Sequence, residues 1–286
     1  MLYANDSLLL ESTNRAKGKL EIGYQQIQEK TRLHSLYQQE PLRALFPTNT
    51  ATGVMETILI NMTGGIAGGD QHSVNIHMGM HAAGLITTQS AEKIYRSLGR
   101  ESELSLRLSL DPGSWLEWIP QETILFNEAK LRRLNQIHTS RTSRLMSGEI
   151  LIFGRTAHAE RILSGLMHDH REVYRDNHLI WVDALHLEED FGDVLNHPAA
   201  FNGARAYAIF IYVSDDSSHY LDCAREVLNE INFIHSAATC VSKEILVVRW
   251  LGANAMQLRL AYGSFWRKFR FIVAGLPEQL PTLWDG

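Results

Sequence analysis

Two cysteines occur in 286 residues, Cys223 and Cys240, with sixteen residues between them. That is too few for a disulfide framework, and the spacing is neither a C-x-x-C zinc pair nor a redox pair, which fits a reducing compartment. A block of Lys and Arg is also missing. The formal charge is −5, from 27 basic and 32 acidic residues, so nucleic acid is not an expected partner. No apolar stretch approaches the roughly 18–20 residues of a membrane span. The opening MLYANDSLLLES has no basic n-region, and Asp6 and Glu11 flank its short apolar run, so no signal peptide is read there. A cytoplasmic protein without a membrane partner is the expectation. Linkers, low-complexity tracts and clear repeats are lacking, and residues 1–286 read as one domain.

Familiar catalytic signatures are missing too. Gly64-Gly65-Ile66-Ala67-Gly68-Gly69-Asp70 is glycine-rich enough to suggest a phosphate-cradling loop. A dinucleotide fingerprint opens a helix, however, and the next residues here alternate as a strand. A P-loop needs Lys-Ser/Thr where this chain has Asp70-Gln71. A tight turn between strands, with Asp70 as its cap, is the simpler reading. Thirteen histidines raise a metal reading, yet no H-E-x-x-H occurs. His77 and His81 fall on one strand face with His72 opposite, and His168 and His170 share a face with Asp169 opposite. Solvated strand histidines are expected for most of them. There is no G-x-S-x-G nucleophile elbow.

What is present is period two. Val74, Ile76, Met78 and Met80 alternate with polar residues, as do Leu104, Leu106, Leu108 and Leu110, before the turn Asp111-Pro112-Gly113. Further strands are expected at 55–62, 84–89, 115–119, 145–153 and 178–187, recurring without helices between them. The last third changes to helical spacing. Leu221, Ala224, Val227, Leu228 and Ile231 predict a helix over 218–231. Met256, Leu260, Gly263 and Trp266 form a stripe of a second over 253–269, with Leu258, Tyr262, Phe265 and Phe269 beside it. A strand at 244–250 lies between them. The fold class is mainly β, with two helices in the C-terminal half.

Three acids sit among apolar neighbours by strand parity: Glu117 with Trp115 and Ile119, Glu149 with Leu145, Leu151 and Phe153, and Asp183 with Leu179, Trp181, Leu185 and Leu187. An acid so placed is either ion-paired, with an arginine such as Arg155 or Arg161, or lines a polar passage.

Gly64–Asp70, the strand after it, and Thr87, Thr88, Gln89, Lys93, Tyr95 and Arg96 together resemble the signature of the UreD/UreH urease accessory family, a GGxxGGD turn followed by TTQ-x-x-x-K-x-Y-R. Leu116–Phe126, which has Glu117 as its second residue, Gly148–Glu160, Val247–Gly252, the Trp266 helix and the closing Pro-x-Leu-Trp are similar to further family segments in the same order. Two departures are Ala159, where the family has Gly before Glu160, and Pro281-Thr282-Leu283-Trp284 at the end. The resemblance implies an irregular helical β array, sandwich- or solenoid-like, and a scaffold without turnover of its own. It implies binding to a UreF-type partner, recruitment through it of the GTPase UreG, docking on apo-urease, and a dimeric state within the accessory complex. No tightly bound cofactor is implied, only transient Ni2+, with Glu149 and Asp183 falling where the family carries acids implicated in nickel passage and Asp70 as a further candidate. Carboxylates suit such a passage because they replace hydration without the grip of thiolates or clustered imidazoles. The competing reading is a β-rich metal-dependent hydrolase using Asp70 and nearby histidines.

Overall fold

The computed structural model describes residues 15–48, 50–155, 160–231 and 233–284. The N-terminal run MLYANDSLLLES and the departure at Ala159 lie outside these residues.

The described residues open with two hairpins, β1 (Lys17–Ile27) with β2 (Lys30–Gln39) and β3 (Leu42–Leu45) with β4 (Met55–Asn61). It then alternates between two sheets through β5 (Gln71–Met78), β6 (Ala83–Thr88), the short β7 (Glu92–Ile94), β8 (Ser102–Leu110), β9 (Trp115–Trp118), the short β10 (Thr123–Leu125), β11 (Lys130–Thr139), β12 (Arg144–Phe153), β13 (Leu166–Arg175) and β14 (His178–Glu188). A short helix α1 (Phe191–Asn196) leads to β15 (Ala206–Val213), α2 (Leu221–Glu230), β16 (His235–Ser242), β17 (Ile245–Gly252) and α3 (Ala255–Ala274).

The first sheet has the order β14-β13-β11-β8-β5-β1-β2, and its five inner strands are parallel. The second has the order β16-β17-β15-β12-β9-β6-β4-β3, with β4, β6, β9 and β12 parallel and antiparallel strands at both ends. Each coil contributes one strand to each sheet, which makes a solenoid-like stack. The alternation explains it. In β8, Leu106, Leu108 and Leu110 are buried between the sheets, while Glu103, Ser105 and Arg107 face out. The Asp111 turn closes with Ser114 N–H donating to the Asp111 carbonyl, and Gly113 takes φ +73°.

The helices α2 and α3 cover the outer face of the second sheet. Phe210 and Trp250 from the sheet pack edge-on against Phe265, Trp266, Phe269 and Tyr262. Each such ring, fully buried, contributes about 1.5–3 kcal/mol of transfer free energy. Asn254 caps α3 by accepting from Gln257 N–H, and Gly275 ends it at φ 65° in the left-handed region.

Several expectations are corrected. The buried face of α3 is Leu258, Ala261, Tyr262, Phe265, Trp266 and Phe269; Met256 and Leu260 of the expected stripe are exposed. Buried Arg259 and Arg270 sit on that face and disguise its apolar period. The helix expected over 218–231 is a 3-10 turn, Ser217–Tyr220, followed by α2. β5 ends at Met78, so Met80 is exposed and His81 occupies a turn at φ 58° instead of sharing a strand face with His77. A bulge in the β13–β14 pairing moves Leu179 out of the inward row that holds Trp181, Asp183, Leu185 and Leu187.

Candidate functional site

The interior between the sheets is not uniformly apolar. One apolar cluster gathers Ile137, Val173, Leu145, Ile209 and Val247, and another gathers Leu131, Met167, Leu187, Leu151 and Phe153. On the same strands, between these two sets, the inward positions are polar: Arg133 and Asn135 on β11, Asp169 and Arg171 on β13, Asp183 on β14, Glu149 on β12 and Arg249 on β17. Register lines them up. Asn135 neighbours Arg171, which neighbours Asp183, across the first sheet. Glu149 neighbours Ile209, which neighbours Arg249, across the second.

Burying so much charge is costly unless every group has a partner. Arg133 is bidentate on Asp169, both contacts 2.9 Å, and Asn135 donates to the same carboxylate at 2.9 Å. Glu149 meets Arg133 and, at 3.5 Å, Arg171 through its Oε2. Farther along, Arg249 donates to the Tyr207 hydroxyl at 3.1 Å and to Asp183 at 2.9 Å. Arg171 stands beside Asp183 in register, so the row runs on to this pair. The two buried acids differ. Burial works to raise the Asp169 carboxyl, but Arg133, with Arg171 and Asn135, overrides it and holds it below its ordinary value. Burial wins at Glu149 and leaves that carboxyl raised despite Arg133.

One end of this row opens into a cavity of about 260 Å³. Glu149, Arg133 and Asn135 form part of its wall, with His72, Glu92, Lys93, Thr88 and Gln89 around it. The other end is the Asp183–Arg249 pair, whose side chains are 28% and 39% exposed. The expected partners Arg155 and Arg161 are not those of Glu149 or Asp183. Arg155 pairs instead with Glu160 at 2.8 Å, and the arginines of the row come from neighbouring strands of the stack.

The glycine-rich segment forms the rim. Asp70 is buried, and its two oxygens accept from Ala16 N–H at 2.9 Å and Ala67 N–H at 2.8 Å, so it caps the turn. A side chain at Gly68 would meet Ser97 and the Arg100 carbonyl, the latter at 2.5 Å, and Gly69 takes φ +93°. Tyr95 hydroxyl donates to the Gly64 carbonyl at 2.5 Å, while Ile66 N–H donates to Lys93 O. Gly65 packs against Tyr95 in the same knot. Thr88 accepts from Gln121 N–H, and Gln89 N–H donates to the Leu59 carbonyl. Thr87 accepts from Trp284 Nε1 at 3.1 Å, which ties the end of the chain to the signature. Arg96 pairs with Glu128 on the surface. Glu117 belongs elsewhere, fully buried under α3, where it accepts from Trp115, Trp266 and Arg270.

His72, His77 and His81 do not converge. His72 is buried and faces the cavity, with its Nε2 lacking a hydrogen-bond partner among the described residues. His77 pairs with exposed Asp111 on the outer face, and His81 packs against Gly113. Among the described residues no three or more His, Cys, Asp and Glu side chains form a metal cage, and no described helix is long and apolar enough to cross a membrane.

Glu92 lines the cavity and accepts from Asn61 Nδ2 at 3.1 Å. Burial, opposed by Asn61, pushes its carboxyl up to about 6. The unfolded value is about 4.3, so the folded chain holds a proton that the unfolded chain releases, and stability falls as pH rises between these values. Glu92→Gln should abolish that fall. Urea unfolding near pH 5 and near pH 7.5 should show the variant gaining on the parent protein at the higher pH; an equal difference at both would contradict it.

A sequence profile described as UreD urease accessory protein matches residues 16–285. The urease accessory protein UreD of Magnetococcus marinus is 37% identical over 272 residues, 94% of each chain. That of Granulibacter bethesdensis is 36% identical over 226 residues, covering 79% of this chain and 93% of the relative. That of Xanthobacter autotrophicus is 35% identical over 270 residues, 94% and 90% respectively. The chain belongs to the UreD urease accessory protein family, and its role lies in urease maturation, not in urea hydrolysis itself.

Proposed function

We propose that this chain is the scaffold through which Ni2+ reaches apo-urease, and that the buried polar row is the ion's path. It would bridge urease to a UreF-type partner and, through that partner, to the GTPase UreG, whose hydrolysis of GTP supplies the turnover this chain lacks. The observation that carries the reading is the row itself, charged side chains leading from a cavity to a partly exposed pair between two apolar clusters. Carboxylate, amide and phenol oxygens, with His72 at the entrance, suit a divalent ion that must be released again. The arginines matter as much. A dication is repelled by free guanidinium, so it advances only where a carboxylate can exchange one cation for another. Glu149 is that carboxylate, because Arg133 stays bidentate on Asp169 when Glu149 lets go. On the outer strand β2, Leu33, Leu36 and Tyr37 are exposed and give a partner protein apolar surface to cover.

The test is co-expression of urease and its accessory proteins with this chain intact, deleted, or carrying Glu149→Gln or Asp183→Asn. The amides keep volume and most hydrogen bonds but remove charge. Complex recovery should be unchanged, while urease nickel content and activity fall severalfold. Normal nickel loading in both variants, or a loss explained wholly by failed assembly, would reject the path.

A further inference from the structure

The outer face of the seven-stranded sheet carries histidines that the interior path does not use. On β13, His168 and His170 are two residues apart and point outward; on β14, His186 stands directly opposite His168. The Nδ1 atoms of His168 and His186 are 3.2 Å apart. His168 stacks on His170 at 6.1 Å between ring centres, and meets His186 edge-on at 5.3 Å.

The neighbours of these rings decide their tautomers. A carboxylate only accepts, so Glu188 at 3.2 Å fixes the proton of His186 on Nε2 and leaves the Nδ1 lone pair free. Glu172 does the same for His170, also at 3.2 Å. A carboxylate holding the far nitrogen is the usual support of a metal-ligating imidazole, orienting the ring and raising its basicity. In the metal-free chain His168 then donates from Nδ1 to His186. If both nitrogens instead held one ion at the usual N–metal distance of about 2.0–2.1 Å, their 3.2 Å separation sets an angle at the metal of about 100°. That suits both tetrahedral and octahedral coordination.

We propose that His168 and His186 bind one divalent cation of the imidazole-preferring class, Ni2+, Cu2+ or Zn2+, on this face, with water in the remaining positions. On binding, the His168 Nδ1 proton shifts to Nε2 through solvent, so the ring stays neutral and no net proton is consumed. Arg132 is the cation beside His168 in register, and its ion pair with Glu101 offsets its repulsion. Glu172 and Glu188 supply negative charge on the same face. The site stands apart from the interior row and does not depend on its role.

Titration calorimetry of the untagged full-length chain with nickel chloride, followed by electron paramagnetic resonance with Cu2+, tests it. One equivalent of Ni2+ should bind, and Cu2+ should show at least two bound nitrogens. His168→Ala and His186→Ala should each abolish the calorimetric signal, and Glu188→Gln should weaken binding by about tenfold while the site remains. His77→Ala, on the same sheet face but paired with Asp111, should bind as the parent does. Circular dichroism checks that each variant is folded. Unchanged affinity in His168→Ala and His186→Ala, equal weakening by His77→Ala, or no Ni2+ bound by the parent chain would overturn the assignment.

Discussion

Arg270→Met should destabilise the protein by about 3–5 kcal/mol, because it strands a carboxylate in the core. Arg270 and Glu117 are both wholly buried. Arg270 gives Nε and Nη2 to the Glu117 oxygens at 2.9 and 2.8 Å, and its remaining donors reach the backbone carbonyls of Thr52, Pro277 and Gln279. Glu117 also accepts from Trp115 at 3.1 Å and Trp266 at 2.7 Å. One ion pair thus joins β9, α3, the loop before β4 and the C-terminal segment. Methionine fills much of the volume but leaves the acid without its cation and takes the side-chain donor from the Thr52 and Gln279 carbonyls. Glu117→Gln keeps a single acceptor oxygen, so one indole N–H faces the amide NH2 and the guanidinium loses its counter-charge; it should cost a comparable amount. Urea unfolding of both variants measures the losses; a loss below about 1 kcal/mol in Arg270→Met would mean that water replaces the guanidinium, contrary to the burial of both partners.

Arg133→Met should lose about as much stability at neutral pH, and its gain in stability as pH falls from about 8 to about 5 should be steeper than the parent's, to which Glu92 and Glu149 already contribute. In the parent chain the Asp169 carboxyl is held below its ordinary value. Its stabilisation is therefore present above the unfolded value of about 3.9 and is lost as pH falls through the lower folded value. Without Arg133, Asp169 and Glu149 share the interior with Arg171 as their remaining guanidinium. Both carboxyls then lie above their unfolded values, so the variant gains stability as pH falls from about 8 to about 5. Glu149→Gln removes a carboxylate that burial already disfavours. It should change stability by less than about 1.5 kcal/mol, which lets its effect on nickel loading be read as function. Melting curves at both pH values decide the matter: a variant Arg133→Met that tracks the parent profile would show that the guanidinium does not hold these acids.

Strand parity carries most of what the sequence says about the site. It puts Glu149 and Asp183 inward because alternation is local and β12 and β14 are regular near those residues. The same parity applies to Arg133 with Leu131 and Ile137, and to Arg171 with Met167 and Val173, yet an arginine on an apolar face draws less notice than an acid. Partner choice is not legible. Arg133 and Glu149 sit on opposite sheets, and Arg249 lies 66 residues from Asp183, so nearness in the chain favours Arg155 and Arg161 wrongly. β15, Ala-Tyr-Ala-Ile-Phe-Ile-Tyr-Val, escapes the search for period two because helices cover one face and the other sheet covers the second, which erases alternation. Helix α1 escapes because six residues are too short to show a period. The glycine-rich segment is legible as a turn capped by Asp70, since residues 71–78 alternate as a strand.

The parallel stacking of the coils also governs how the protein comes into being. Gln71 on β5 meets Glu103 on β8, 32 residues away, and comparable spans separate each later pair of parallel neighbours. No coil has a neighbour to bond until the next has been made, so loop-closure entropy comes due before any contact rewards it. The β1–β2 and β13–β14 hairpins escape this requirement, being closed within a few residues by their turns. Nascent chains therefore pass through states in which an unfinished stack presents bare backbone at its growing edge, the condition under which β-rich chains most readily self-associate.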